Sequence, residues 1–130
     1  TLVCGRAKGS GEVELCNAGH LPPLLIRGGG VTTLGATGLP LGLFNREQYS
    51  VTNLELEKDD FLLLYTDGVT ESCDPLGGEY GAERLLQLAA TYQRLAPEKL
   101  IEACLADVKS FRSGAPRKDD LTVMAIRRSQ

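Results

Sequence analysis

The stretch FLLLYTDGVTE, residues 61–71, decides how the chain is read. An unbroken apolar run from Phe61 to Tyr65 ends in Thr66 and then in a carboxylate, Asp67, followed by Gly68. A short run that is apolar at every position, without alternation, predicts a strand covered on both faces. Asp-Gly directly after a strand is also a common turn signal. Asp67 therefore has two readings: a turn residue that closes a buried strand, or a carboxylate that the strand exists to hold.

Working outward, residues 49–57 (YSVTNLELE) alternate as a half-buried strand does, and Lys58-Asp59-Asp60 forms a polar turn before the apolar run. Further upstream, residues 1–7 and 12–18 flank the turn-rich KGSG, which predicts a hairpin. Residues 23–27 (PLLIR) and 31–34 (VTTL) flank Gly28-Gly29-Gly30 and predict a second hairpin. No Gly-Lys-Ser/Thr follows those glycines and no helix begins there, so they read as a turn rather than a phosphate cradle. Residues 35–45 (GATGLPLGLFN) are too rich in Gly and Pro for a regular element and read as an ordered loop.

Downstream of residue 71 the period changes. Leu85, Leu88, Ala89 and Tyr92 recur at helical spacing within residues 80–93, and Ile101, Cys104, Leu105 and Val108 do so within residues 97–112. Pro97 suits a first helical position and Gly114 a helix stop. Both stripes read as core packing. Residues 121–127 (LTVMAIR) return to strand. Strands, then two helices, then a strand is the order of an α+β fold, with a single domain over residues 1–130.

The net charge of −3 and the lack of basic clusters beyond Arg117-Lys118 and Arg127-Arg128 argue against a nucleic-acid partner. No apolar run is long enough to span a membrane. The chain begins with Thr1 rather than Met, which reads as a piece of something longer. Cys4, Cys16, Cys73 and Cys104 fit no zinc spacing and no C-x-x-C pair. They read as buried free thiols, which predicts a reducing, cytoplasmic setting.

The candidate chemistry lies in two acidic positions far apart in sequence. Asp67 ends one strand and Asp119-Asp120 precedes another. If those strands pair antiparallel, the carboxylates emerge at one edge, and Gly68 lets backbone or ligand approach closely. Carboxylates without His or Cys neighbours suit hard cations: magnesium, manganese or calcium. A pair of such ions sharing a water points to phosphate-ester hydrolysis. On these residues alone the turn reading of Asp67 remains the stronger one. His20, the only histidine, lies in CNAGHLPPL (16–24) and is as consistent with a turn as with a site.

NAGHLPPLL (17–25), GLPLG (38–42), LLLYTDGVTE (62–71) and DDLTVMAI (119–126), in this order and spacing, resemble the C-terminal part of a stage II sporulation protein E-type phosphatase domain. This is the bacterial branch of the metal-dependent protein phosphatases (PPM, 2C-type). The resemblance implies part of an α-β-β-α sandwich: antiparallel sheets with helices outside each, here with the two amphipathic helices on one face. It implies hydrolysis of phosphoserine or phosphothreonine on a small regulatory protein, such as an anti-sigma-factor antagonist, through two Mn2+ or Mg2+ ions and a bridging water, without a phosphoenzyme.

It places Asp67 and Asp119 as metal ligands, with Gly68 and Asp120 supporting and Asn17, Gly19 and His20 adjacent. It also implies an N-terminal sensor or receiver domain in the parent protein. The family's upstream acidic position and its G-D-x-x-G-H-G-like segment have no counterpart here. The expectation is therefore the C-terminal portion of one domain, inactive or nearly so alone, with uncovered sheet faces that favour self-association. The competing expectation is a phosphatase-like module that binds proteins without catalysis.

Overall fold

A computed structural model describes residues 1–45 and 47–130. Strands β1 (Leu2–Ala7) and β2 (Glu12–Ala18) form the first predicted hairpin, closed by a hydrogen bond from the Lys8 amide to the Glu12 carbonyl at 2.8 Å. Strands β3 (Leu24–Arg27) and β4 (Gly30–Thr33) form the second, around Gly28 and Gly29 at φ 55° and 92°. Positive φ at both positions is the conformation glycine adopts without penalty. Strand β5 covers Thr52–Glu55 and β6 covers Phe61–Tyr65. A one-turn helix α1 (Asp67–Thr70) follows, then α2 (Ala82–Tyr92), α3 (Pro97–Arg112) and β7 (Val123–Arg127).

The strands make two antiparallel sheets, one ordered β1-β2-β5 and the other β4-β3-β6-β7. Strand β6 is central to the second, with Leu63 opposite Leu24 on β3 and opposite Ala125 on β7. Its Phe61, Leu63 and Tyr65 join Leu24 and Ile26 of β3 on the face covered by Leu85, Leu88 and Ala89 of α2 and Leu100, Cys104 and Val108 of α3. Leu62 points the other way and is also buried. On that side Val13 and Leu56 belong to the first sheet's layer and share a cleft with Ile126 of β7. The apolar run is thus covered on both faces, as its sequence requires. Both long helices lie on the four-stranded sheet, and among the described residues no helix covers the outer face of the three-stranded one.

Strand β6 is pinned at its start by charge. The buried Asp60 accepts from Arg27 Nε at 2.7 Å and from the Glu57 amide at 2.7 Å. A buried carboxylate is tolerable only when its oxygens are partnered in this way. Arg127 pairs with Asp59 and stacks on the Phe61 ring at 5.3 Å. The helices are tied to the loop before them by Tyr80, whose hydroxyl donates to Asp107 Oδ2 at 2.7 Å, while Arg84 donates to the same oxygen at 2.9 Å. Arg84 holds the Asp107 carboxyl below its ordinary range.

Several expectations need correction. The predicted strand 49–57 shortens to Thr52–Glu55, because Ser50 hydrogen-bonds the Thr37 carbonyl and so serves the 37–40 loop instead of a ladder. The last strand starts at Val123 rather than at Leu121. In α3 the buried stripe is Leu100, Cys104 and Val108, flanked by Phe111, and Leu105 is 40% exposed. The helix carries apolar residues on more of its circumference than one contact surface holds, and packing against α2 and β7 selects the side. Tyr92, in the last turn of α2, is exposed as well.

Of the cysteines, all free, only Cys104 is buried; burial pushes its thiol up to about 11. Among the described residues no helix is long and apolar enough to cross a membrane. The corrected stripe makes a stability prediction. Leu100→Ala should cost about 3 kcal/mol by opening a core cavity, and Leu105→Ala less than about 1 kcal/mol. Urea unfolding midpoints of the two variants check the order.

Candidate metal centre at the β6 and β7 ends

The register places Tyr65 opposite Val123, so the residues after β6 meet the residues before β7. Thr66 closes the junction. Its amide donates to the Thr122 carbonyl at 3.1 Å, its hydroxyl accepts the Thr122 amide at 3.0 Å, and the same hydroxyl donates to the Asp120 carbonyl at 3.1 Å. Gly68 then packs directly on the other chain segment. A Cβ built there would lie 2.2 Å from the Asp120 carbonyl oxygen. Backbone cannot retreat as a flexible side chain can, so the contact requires glycine. The antiparallel argument from sequence therefore holds, with one refinement: Asp67 opens the single turn of α1 rather than ending the strand.

Asp67 and Asp119 are both exposed, and each carboxylate accepts from the next residue's amide, at 3.0 Å from Gly68 and 2.7 Å from Asp120. No other partner is recorded for either among the described residues. Asp67 lines a cleft of about 250 Å3 with His20 and Glu71. Asp119 lines a second, of about 240 Å3, with Gly68 and Glu71. The two clefts meet at α1, and Glu71 borders both. Glu71 lies four residues after Asp67, on the same side of the turn. Sequence reading passed over it, although it stands in the quoted TDGVTE. Asp120 contributes its carbonyl to the junction and lines neither cleft.

The NAGH loop has a defined construction. Asn17 is buried and clamps the turn from inside: its Nδ2 donates to the His20 carbonyl at 3.0 Å and its Oδ1 accepts the His20 amide at 2.8 Å. Gly19 has φ 67°, and a Cβ there would meet Pro40 at 2.4 Å. The loop therefore seats against the GLPLG segment, and the Asn17 amide bonds Thr37 Oγ1 at 2.9 Å. His20 is carried to the Asp67 cleft, where Nδ1 lies 3.1 Å from Thr1 Oγ1. Of the three residues, His20 and Gly19 line the cleft, and Asn17 shapes it from beneath.

Oxygen donors at Asp67 and Asp119 suit a hard divalent cation in kind. In number they fall short: among the described residues no three His, Cys, Asp or Glu side chains converge closely enough to hold an ion. Gly68→Ala should destabilise the chain by about 1–3 kcal/mol through overpacking. Gly9→Ala, at a position with open space around it, should be close to neutral. Urea titrations of both variants check this.

Comparison with known proteins agrees with the fold. The family model for stage II sporulation protein E (SpoIIE) matches residues 1–129. Protein IcfG of Synechocystis sp. is 26% identical over 122 residues, covering 92% of this chain and 19% of its own length. Phosphoserine phosphatase RsbP of Bacillus subtilis is 40% identical over 66 residues, covering 48% of this chain and 16% of its own. Among solved structures, the SiaA-PP2C domain of Pseudomonas aeruginosa superposes with a TM-score of 0.80 at 19% identity, covering 92% of this chain and 47% of that one. The chain thus spans under a fifth of these curated relatives and about half of that solved PP2C domain.

Proposed function

We propose that this chain, which belongs to the stage II sporulation protein E family, is the C-terminal portion of a PPM-type phosphatase domain. Its reaction is hydrolysis of phosphoserine or phosphothreonine, the first being the chemistry in the name of the similar RsbP, on a small cytoplasmic regulatory protein such as an anti-sigma-factor antagonist. The observation that carries the proposal is that the β6–β7 pairing packs Gly68 on the Asp120 backbone and so sets Asp67 and Asp119 in neighbouring clefts that share Glu71.

Asp67 and Asp119 are the ligands this chain offers to two Mn2+ or Mg2+ ions. When bound, the ions supply a nucleophile from water near neutral pH and clamp the oxygens of an in-line displacement at phosphorus. The chain's own work is positional. The Gly68 and Asp120 amides fix the two carboxylates, each by one hydrogen bond. The Asn17 clamp sets His20 at the rim of the Asp67 cleft, and the junction at Thr66 keeps the two clefts adjacent. The remaining ligands come from outside these 130 residues, in the same parent protein that carries a sensor or receiver domain.

A second reading, a phosphatase-like module that binds proteins without catalysis, is favoured by one observation, the lack of three converging ligands among the described residues. Manganese titration of the intact parent polypeptide separates the two. The enzyme reading expects saturable binding and metal-dependent turnover of a phosphoserine protein. Asp67→Asn and Asp119→Asn should each weaken manganese binding by about 100-fold or more, since even residues that only orient a metal ligand cost about 10–100-fold. Equal affinity and activity in wild type and variants removes these residues from the site.

The isolated 130-residue chain should show no metal-dependent turnover. It should also self-associate through its uncovered sheet surface, where Met124 and Ile126 of β7 are 48% and 37% exposed. Full turnover, or a strictly monomeric mass by light scattering at high concentration, contradicts the corresponding half of this prediction.

A further inference from the structure

The cleft that holds Asp119 does not end there. It runs away from Asp67 between the 72–79 loop and the 112–118 segment, then opens into a wider depression of about 570 Å3 that shares Cys73, Pro116 and Lys118 with it. The 112–118 wall is basic, bearing Arg112, Arg117 and Lys118. Among the described residues none of these three forms an ion pair. That holds although the chain has 17 carboxylate residues against 14 Lys and Arg, and although Glu71, Asp74, Glu79 and Asp119 line the same groove.

The wall is shaped before anything binds. Helix α3 ends in a left-handed Ser113 at φ 45° and Gly114 at φ 93°. The Ala115 amide bonds the Arg112 carbonyl at 2.8 Å, and the Arg112 guanidinium returns a bond to the Ala115 carbonyl. Pro116 follows and stiffens the exit. Lys118 Nζ reaches across the groove to 3.2 Å from Cys73 Sγ. Arg112 lies in the last turn of α3, where its charge offsets the helix dipole. Arg117 and Lys118 have no such internal use, and both are exposed. A preshaped wall with uncompensated charge loses little ordering entropy on binding.

We infer that this groove holds the substrate segment on one side of the phosphorylated residue, and that Arg117 and Lys118 select segments with acidic residues there. The inference rests on the phosphatase reading above. The phosphoryl group lies at Asp67 and Asp119, and the flanking residues run in extended form along the 112–118 wall. A carboxylate on that flank meets two cations that form no ion pair among the described residues. A neutral flank leaves them solvated and gains nothing, and a basic flank is repelled.

The test uses the intact parent polypeptide with manganese and three substrates: p-nitrophenyl phosphate, a phosphoserine peptide with acidic flanking residues on both sides, and the same peptide with neutral flanks. Each exposed pair contributes up to about fivefold, so the wild type should prefer the acidic peptide in kcat/KM by about tenfold. The preference should narrow with added salt. R117E should bring the ratio close to one, and R117K should keep it. The ratio compares two substrates on one protein, so general damage cancels.

A wild type that turns over p-nitrophenyl phosphate but treats both peptides alike overturns the groove and leaves the phosphatase reading standing. So does an R117E variant that keeps the preference. A wild type that hydrolyses none of the three overturns the phosphatase reading, and the groove assignment with it.

Discussion

The pairing of β6 with β7 is the constraint on which the rest of the structure depends. It has Tyr65 opposite Val123 and is closed by the Thr66 hydroxyl, which accepts one amide and donates to one carbonyl of the opposing segment. A single side chain thereby extends the ladder past the last regular pair. The other end of β6 is fixed by the carboxylates of Asp59 and Asp60, held by Arg127 and Arg27. Between these two fixed ends every side chain of the strand has a neighbour layer. A strand so held cannot slip by one residue without turning Phe61, Leu63 and Tyr65 out of the helix-covered core.

That rigidity is what gives the exposed carboxylates their value. Asp67 and Asp119 stand on backbone turns where each carboxylate accepts the next residue's amide. The NAGH loop adds a third fixed point, with a buried amide side chain doing structural work so that a histidine can stand at the rim. Polar groups on a well-packed scaffold are held more closely than groups on mobile loops.

Much of this was legible in the sequence because it followed from periodicity and punctuation. The apolar run 61–65, both hairpins and both long helices appear where alternation, glycine pairs and helical spacing put them. That the segments bearing Asp67 and Asp119 lie at the same end of the sheet needed one assumption, antiparallel pairing of β6 with β7, and the register has it. What sequence could not decide were matters of tertiary choice. Both Leu100 and Leu105 are apolar and helical, and only the position of α2 and β7 determines which is buried. Tyr49 has good strand propensity and Ser50 follows it, but the 37–40 loop takes both. The asymmetry of the groove beside Asp119 was hidden for the same reason: its walls come from segments separated by two helices.

The Thr66 junction also has a consequence in time. It joins residues on either side of the entire α2–α3 segment, so it is among the most non-local contacts in the chain. Closing such a loop carries an entropic cost that local hairpins do not. During synthesis, β6 and the turn bearing Asp67 emerge well before the segment bearing Asp119, and β6 waits with one edge unpaired. In the proposed centre, a divalent ion would therefore meet at most one carboxylate of the pair until the helices have docked. The order of translation itself delays assembly of the centre until its supporting core exists.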